Sequence, residues 1–363
     1  MQLSLFSLVL FLLLYLNRPR SNEPFAWTTV RYKSRSSVLP EARGICPGLA
    51  ESSKPALVVS RVAADGDTGW LDALLHLYHL CVYTVDSPPD ASSNHLQVPA
   101  NRGHEAMAYL TFIIDNYEDI PAPGVVFVHG SRFAWHNDAP DYDNAALLAA
   151  LNISAAVAPW GYHNLRCDWS ASTCPHSSAP QGSLETSLLA ALEPWDARVA
   201  SDRALPGALA TLFGSDDYAS TKNGAKLHLG RTEAVRSQCC AQFAVARDRI
   251  LQHSKEEYVA LRQWLLDGAS SSKKHKVAAP PDDRVAGRIL SYIWHILFIQ
   301  QRDPTMIDLE HLNALACPRA DECYCRLYGR CNLEHCTRPS SCYGQYSIPK
   351  YFRLPDDWAA THS

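Results

Sequence analysis

The sequence predicts an α/β fold, a mainly parallel sheet with flanking helices, on three observations. Short apolar runs of strand length alternate with segments of helical period, the runs are apolar on both faces as buried parallel strands are, and a polar loop follows each. Residues 56–62 (ALVVSRV) read as the first strand, and 70–80 (WLDALLHLYHL) as a helix from its apolar spacing. Residues 81–85 form a second strand. Across 103–117, Met107, Leu110, Ile113, Ile114 and Tyr117 share one helical face, and 125–128 follow as a third strand. The alternation then weakens: 143–151 suggest a short helix, 155–158 a short strand, 242–246 another strand, and 248–254 a helical turn. Residues 255–267 and 284–299 are helical, joined by the surface loop SSSKKHKVAAPPDD. In such sheets ligands sit beyond the carboxyl ends of the strands, here residues 61–67, Asp86 and 129–143.

The 363 residues carry 33 Lys+Arg against 37 Asp+Glu, a net charge of −4, which excludes a nucleic-acid binder driven by charge. A hydrophobic share of 47% with 19% charged residues excludes wholesale disorder. Twelve cysteines point to an oxidising compartment or to metal. Residues 3–16 (LSLFSLVLFLLLYL) have the length of a signal-peptide core and fall short of a bilayer span. No Lys or Arg precedes them and no small-x-small cleavage site follows, so a retained anchor is the alternative. Arg18 and Arg20 behind the run favour a cytosolic body, the cysteines a lumenal one, and the cysteines weigh more. The expected organisation is a signal peptide or signal anchor over 1–21, a disordered stem over 22–55, an α/β domain over 56–300 and a Cys-rich extension packed on it over 301–363. The body is then lumenal on a single membrane pass, or secreted. Asn152-Ile153-Ser154 is one glycosylation sequon.

G-x-G-x-x-G, Walker A, H-E-x-x-H and G-x-S-x-G motifs are absent; His104-Glu105 begins like a zincin, but Ala108 stands where the second imidazole belongs. Asp65-Gly66-Asp67 and Asp141-Tyr142-Asp143 offer paired carboxylates to a divalent cation, or serve as turn and cap residues. The richest constellation spans 129–138 (HGSRFAWHND), where His129, His136, Arg132 and Asp138 can bind metal, move a proton or clamp phosphate. Arg102 and Glu105 head a helix in a setting suited to an anion. The tail cysteines Cys317, Cys323, Cys325, Cys331, Cys336 and Cys342 lack Cys-x-x-Cys knuckles, so disulfides are expected. Cys167 and Cys174 are close enough to close a small loop together, whereas adjacent Cys239 and Cys240 are expected to pair elsewhere or stay buried.

Several phrases taken together resemble a fungal family catalogued as domain of unknown function 3431: NRGHEAMAYLTFIIDNYEDIP, VVFVHGSRFAWHND, GYHNLRC, CCAQFAVARDRI, SYIWHILF and ECYCRLYGRC. Family members usually carry Glu-Asp where this chain has Gly66-Asp67, and Asp-Asp where it has Asp138-Ala139. The strand and helix order also resembles the nucleotide-binding half of GT-A-type glycosyltransferases, which implies a GT-A/Rossmann-like core. That resemblance implies a nucleotide sugar and a glycan as partners and Mn²⁺ or Mg²⁺ as cofactor, the metal held by Asp138, Asp141 and Asp143. On it, Asp67 approaches a nucleotide base or ribose, Arg102 a phosphate, and His136, Asp138, Asp141 or Asp143 the divalent ion and its diphosphate. Apart from the resemblance, Glu105, Arg132 and Asn164 are further candidates for substrate binding, and His129, His136 and Asp138 for the chemistry. A non-catalytic carbohydrate or cell-surface binding protein is the alternative, and a metal-assisted hydrolase built on His129, His136 and Asp138 the third reading.

Overall fold

The computed structural model describes residues 2–16, 29–34, 40–87, 90, 92–93, 95–214, 229, 233–269, 278–299 and 308–346. Residues 17–28, with Arg18 and Arg20, most of the 270–283 loop, and the ends of the 301–363 extension lie outside them.

An apolar helix, α1 (Gln2–Leu16), opens the chain. At 1.5 Å per residue it falls short of the roughly 30 Å hydrocarbon layer. No helix among the described residues is long and apolar enough to cross a membrane. The expected stem is packed where it is described. Tyr32 donates a hydrogen bond to Asp267 at 2.6 Å, Val30 donates its N–H to Glu257, and Cys46 is bonded to Cys81.

The body is built on a six-stranded sheet of order β3-β2-β1-β4-β6-β5. β1 (Ala56–Arg61) pairs in parallel with β2 (His79–Thr84) and with a later strand, β4 (Val125–His129); β3 (Leu96–Gln97) extends the parallel part. Between β3 and β4 lies α2 (Glu105–Asp115), buried from Ala106 to Ile114 because it sits under the sheet against a further helix layer. After β4 come α3 (Asn144–Ala150), α4 (Ile153–Val157), β5 (Tyr162–Asn164), α5 (Leu184–Leu192) and α6 (Ala197–Phe213). β6 (Phe243–Val245) runs antiparallel to both β4 and β5. α7 (Arg247–Ile250), α8 (Lys255–Asp267), α9 (Asp283–Ser291), α10 (Trp294–Phe298), α11 (Leu309–Ala316) and α12 (Ala320–Tyr328) complete the chain.

Strand alternation divides the core into two layers. Ala56, Val58, Val125 and Phe127 face one layer with α2, α6, α8 and α9, while Leu57, Val59, Val126 and Val128 face the other with α3 and α12.

Three expected elements differ. Residues 70–80 form a 3₁₀ turn, Gly69–Leu74, and then yield to β2, because pairing of His79 with Ala56 and the Cys46–Cys81 bond draw the second half into the sheet. Residues 155–158 belong to the end of α4, whose start is fixed by the Asn152 side chain accepting the Ala155 N–H. Residues 284–299 divide at Tyr292 into α9 and α10.

All twelve cysteines are paired. Cys325–Cys331 and Cys336–Cys342 staple the tail locally. Cys167 and Cys174 do not bond to each other: Cys167 pairs with Cys323 and Cys174 with Cys317, fastening the extension to the loop after β5. Contrary to expectation, Cys239 and Cys240 pair with each other. Multiple disulfides are consistent with a secreted or lumenal protein.

Candidate functional site

The sheet order runs outward in opposite directions from β1 and β4, so their carboxyl ends mark the switch point where open α/β sheets bind ligands. The two ends approach closely there. A Cβ on Gly130 would lie 2.4 Å from that of Arg61, which explains a glycine directly after His129. Asp65 ties the ends together, accepting the Val62 N–H at 2.8 Å and the Ser131 hydroxyl.

Beside this point opens a cleft of about 410 Å³. His129 enters from the end of β4, its Nε2 donating to the Cys240 carbonyl at 2.6 Å, which orients the ring. His136 packs 4.5 Å from the His129 ring, centroid to centroid. Burial, then His129 and then the Arg166 guanidinium lower the His136 pKa to about 3, so this ring stays neutral at physiological pH. Glu105, in the first turn of α2, is the only carboxylate among the described residues lining the cleft. The opposite wall is one face of α9, Arg284, Gly287, Arg288 and Ser291, at helical spacing. Gly287 permits that wall, since a Cβ there would press to 2.8 Å from His104 and 3.0 Å from the Gly103 carbonyl. The Cys239–Cys240 pair lines the cleft as well. Cys240 and Ala241 both have positive φ, turning the chain sharply into β6.

The loop between β4 and α3 is held by buried amides. Asn137 Nδ2 donates to the carbonyls of Arg132 and Tyr142, and its Oδ1 accepts from Gln242. Gln242 Oε1 in turn accepts the His129 N–H and the Asn144 amide.

Of the site residues expected from sequence, Glu105, His129 and His136 meet in this cleft. Asp138 does not: it is buried and accepts hydrogen bonds from the N–H groups of Cys167 and Asp168, the Tyr324 hydroxyl and the Gln345 amide. Asp143 caps α3 and forms a two-pronged ion pair with Arg132 at 2.9 and 3.0 Å. Asp141 accepts the Asp143 N–H. These carboxylates do not fit the cation expected of them. Among the described residues the one group of three metal-ligating side chains that converges is Cys46, His79 and Cys81, and its sulfurs are bonded to each other. Without Asp138, the hydrolase built on His129 and His136 loses its carboxylate.

Asp67 lies outside the cleft and caps a turn through the Gly69 N–H. Arg102 is buried and holds the start of α9 through the Pro281 carbonyl and Asp283, so it positions the cationic wall. Asn164 accepts the Arg166 N–H and donates to the Cys239 carbonyl beneath the cleft. Asn152 is exposed. Reading the sequence alone missed Arg284, Arg288 and the Cys239–Cys240 pair; the i, i+4 spacing of the two arginines was the available signal.

The family model described as "Protein of unknown function (DUF3431)" matches residues 57–326, about three quarters of the chain. The chain belongs to this family. The family region therefore takes in the cleft, α9 and most of α12. None of the curated proteins and none of the solved structures matches the chain significantly.

Burial also lowers the pKa of His295 to about 3 and, with a smaller contribution from Arg326, that of His163 to about 4. Together with His136, these rings take up protons near pH 6.5 only when the chain unfolds, so stability falls as pH drops below 6.5. Each costs on the order of 2 kcal/mol at pH 5, at about 1.4 kcal/mol per pH unit. Buried Asp115 and Asp202, whose pKa values are raised, oppose this loss only within the carboxylate range. Urea midpoints at pH 7.5 and 5.0 check it. A marked drop that shrinks in His295→Leu is expected, and a flat profile contradicts it.

Proposed function

We propose that this protein is glycosyltransferase-like, binding a nucleotide sugar in the cleft beside His129 and moving the sugar to a hydroxyl acceptor. The observation that carries this reading is a cleft at the carboxyl edge of a 3-2-1-4 sheet that gathers Arg284, Arg288, the imidazoles and one carboxylate. The strand order supports a GT-A/Rossmann-like core, and the multiple disulfides support the secretory pathway.

In this chemistry the bond from the anomeric carbon to the diphosphate oxygen breaks as the acceptor oxygen bonds to that carbon. Glu105 takes the acceptor's proton, and the diphosphate leaves with the electron pair. Arg284 and Arg288 stabilise the charge that develops on it, as guanidinium clamps do. Arg284 is steadied by Asp282 at 3.0 Å. No step runs through a metal, because the carboxylates expected to hold one are engaged within the fold.

Thermal unfolding of the intact chain against a panel of nucleotide sugars tests the reading. A ligand at 100 times its Kd stabilises by about 2.7 kcal/mol. An upward shift that falls at least tenfold in apparent affinity in Arg288→Ala is expected. No shift with any nucleotide sugar overturns it. The exposed Trp135 on the cleft rim favours a second reading, a non-catalytic carbohydrate-binding protein, which saccharide shifts without nucleotide shifts would support.

A further inference from the structure

A second cleft, of about 590 Å³, adjoins the first, and Trp135 lines both. The loop that carries Trp135 is rigidly built. Its buried residues, Asn137 and Asp138, are bonded to the sheet and the tail, and Phe133 bridges Asp143. Yet this loop leaves Trp135 63% and Tyr142 38% exposed, and Tyr142 has a positive φ of 59°. A well-anchored loop that holds two aromatic rings in water beside a concavity is a stacking shelf for an apolar ligand face.

The charges of this cleft are already matched. Arg166 donates to the Asp168 carbonyl, the His136 carbonyl and the Ser170 hydroxyl, and its guanidinium lies 3.6 Å from the Asp168 carboxylate. The remaining polar lining includes the hydroxyls of Ser340 and Ser341. Aromatic rings with hydroxyls and a matched ion pair select a neutral, hydroxyl-rich molecule with apolar ring faces, whereas the arginines of the first cleft select an anion.

We infer that the second cleft is a subsite for a neutral oligosaccharide, stacked on Trp135 and Tyr142. This assignment rests on the proposed transferase reading in one respect: there the bound saccharide is the acceptor, and Trp135 is the wall it shares with the nucleotide sugar.

The test titrates the intact chain with neutral tetrasaccharides of β-linked glucose, β-linked mannose and β-linked N-acetylglucosamine, and with a sulfated tetrasaccharide, following tryptophan fluorescence and the unfolding midpoint. At least one neutral probe is expected to bind, at least tenfold more weakly in Tyr142→Asn. Asparagine tolerates the positive φ, so that variant removes the ring without straining the loop. Nucleotide-sugar shifts are expected to be unchanged in it. Trp135→Ala is expected to abolish saccharide binding and Trp135→Phe to restore part of it. The subsite is overturned if no neutral probe binds, if the sulfated probe binds best, or if both ring-removing variants bind as the parent does. Saccharide binding without any nucleotide-sugar shift overturns the transferase reading and leaves this subsite standing; the reverse result overturns the subsite alone.

Discussion

Replacing Asp138 by alanine is expected to cost the fold about 3–5 kcal/mol and to lower the urea midpoint sharply. The carboxylate accepts from two backbone N–H groups, at 2.7 and 3.1 Å, from the Tyr324 hydroxyl at 2.9 Å and from the Gln345 amide at 3.2 Å. Removing it strands several buried donors at once, each costing about 1–3 kcal/mol when left without a partner. Asp138→Asn keeps one oxygen but turns an NH₂ toward donors, so it is expected to fall between alanine and the parent. Tyr324→Phe removes one donor and is expected to cost about 1 kcal/mol. An Asp138→Ala variant with parental stability and lost ligand binding contradicts the structural role and returns this residue to the chemistry.

The paired disulfides Cys167–Cys323 and Cys174–Cys317 are expected to behave as one redundant clamp. Each closes a long loop, with sequence separations of 156 and 143. They are nested, so with one in place the other closes only a circuit of roughly a dozen residues, worth about 3 kcal/mol by loop entropy. Breaking both frees the long loop as well and adds about 5 kcal/mol. Either double-alanine variant alone is therefore expected to fold with a lowered midpoint. The quadruple variant loses more than the sum of the two, enough to leave little of a typical 5–15 kcal/mol stability. Chemical unfolding of the three variants checks this, and strictly additive losses contradict the nesting.

Where apolar period is unbroken over a sufficient length, sequence and structure agree. β1, β4, α2 and α8 lie where the pattern puts them, because burial on both faces or along one stripe leaves a readable repeat. Residues 70–80 carry a helical stripe too, but cross-strand pairing outweighs it, and pairing is a long-range property that no local window contains. β5 and β6 span three residues each, too few for any period. α6 hides behind an internal Pro206. At the site, His129 and His136 were legible because the strand-end rule directs attention to them, and Glu105 because it stands at the polar entry to a helix. Asp138 was misread because spacing shows that a carboxylate is near a site and not which way it points. Its partner Tyr324 is 186 residues away, and such a contact has no local signature.

The most direct test of the cleft's role is calorimetric titration of the intact chain with nucleotide sugars, once in EDTA and once in Mn²⁺. Binding of one nucleotide sugar with the same affinity in both, lost in Arg288→Ala and retained in Asp141→Ala, is the expected result. Binding that appears only with Mn²⁺ and vanishes in Asp141→Ala would contradict a cleft whose arginines carry the diphosphate.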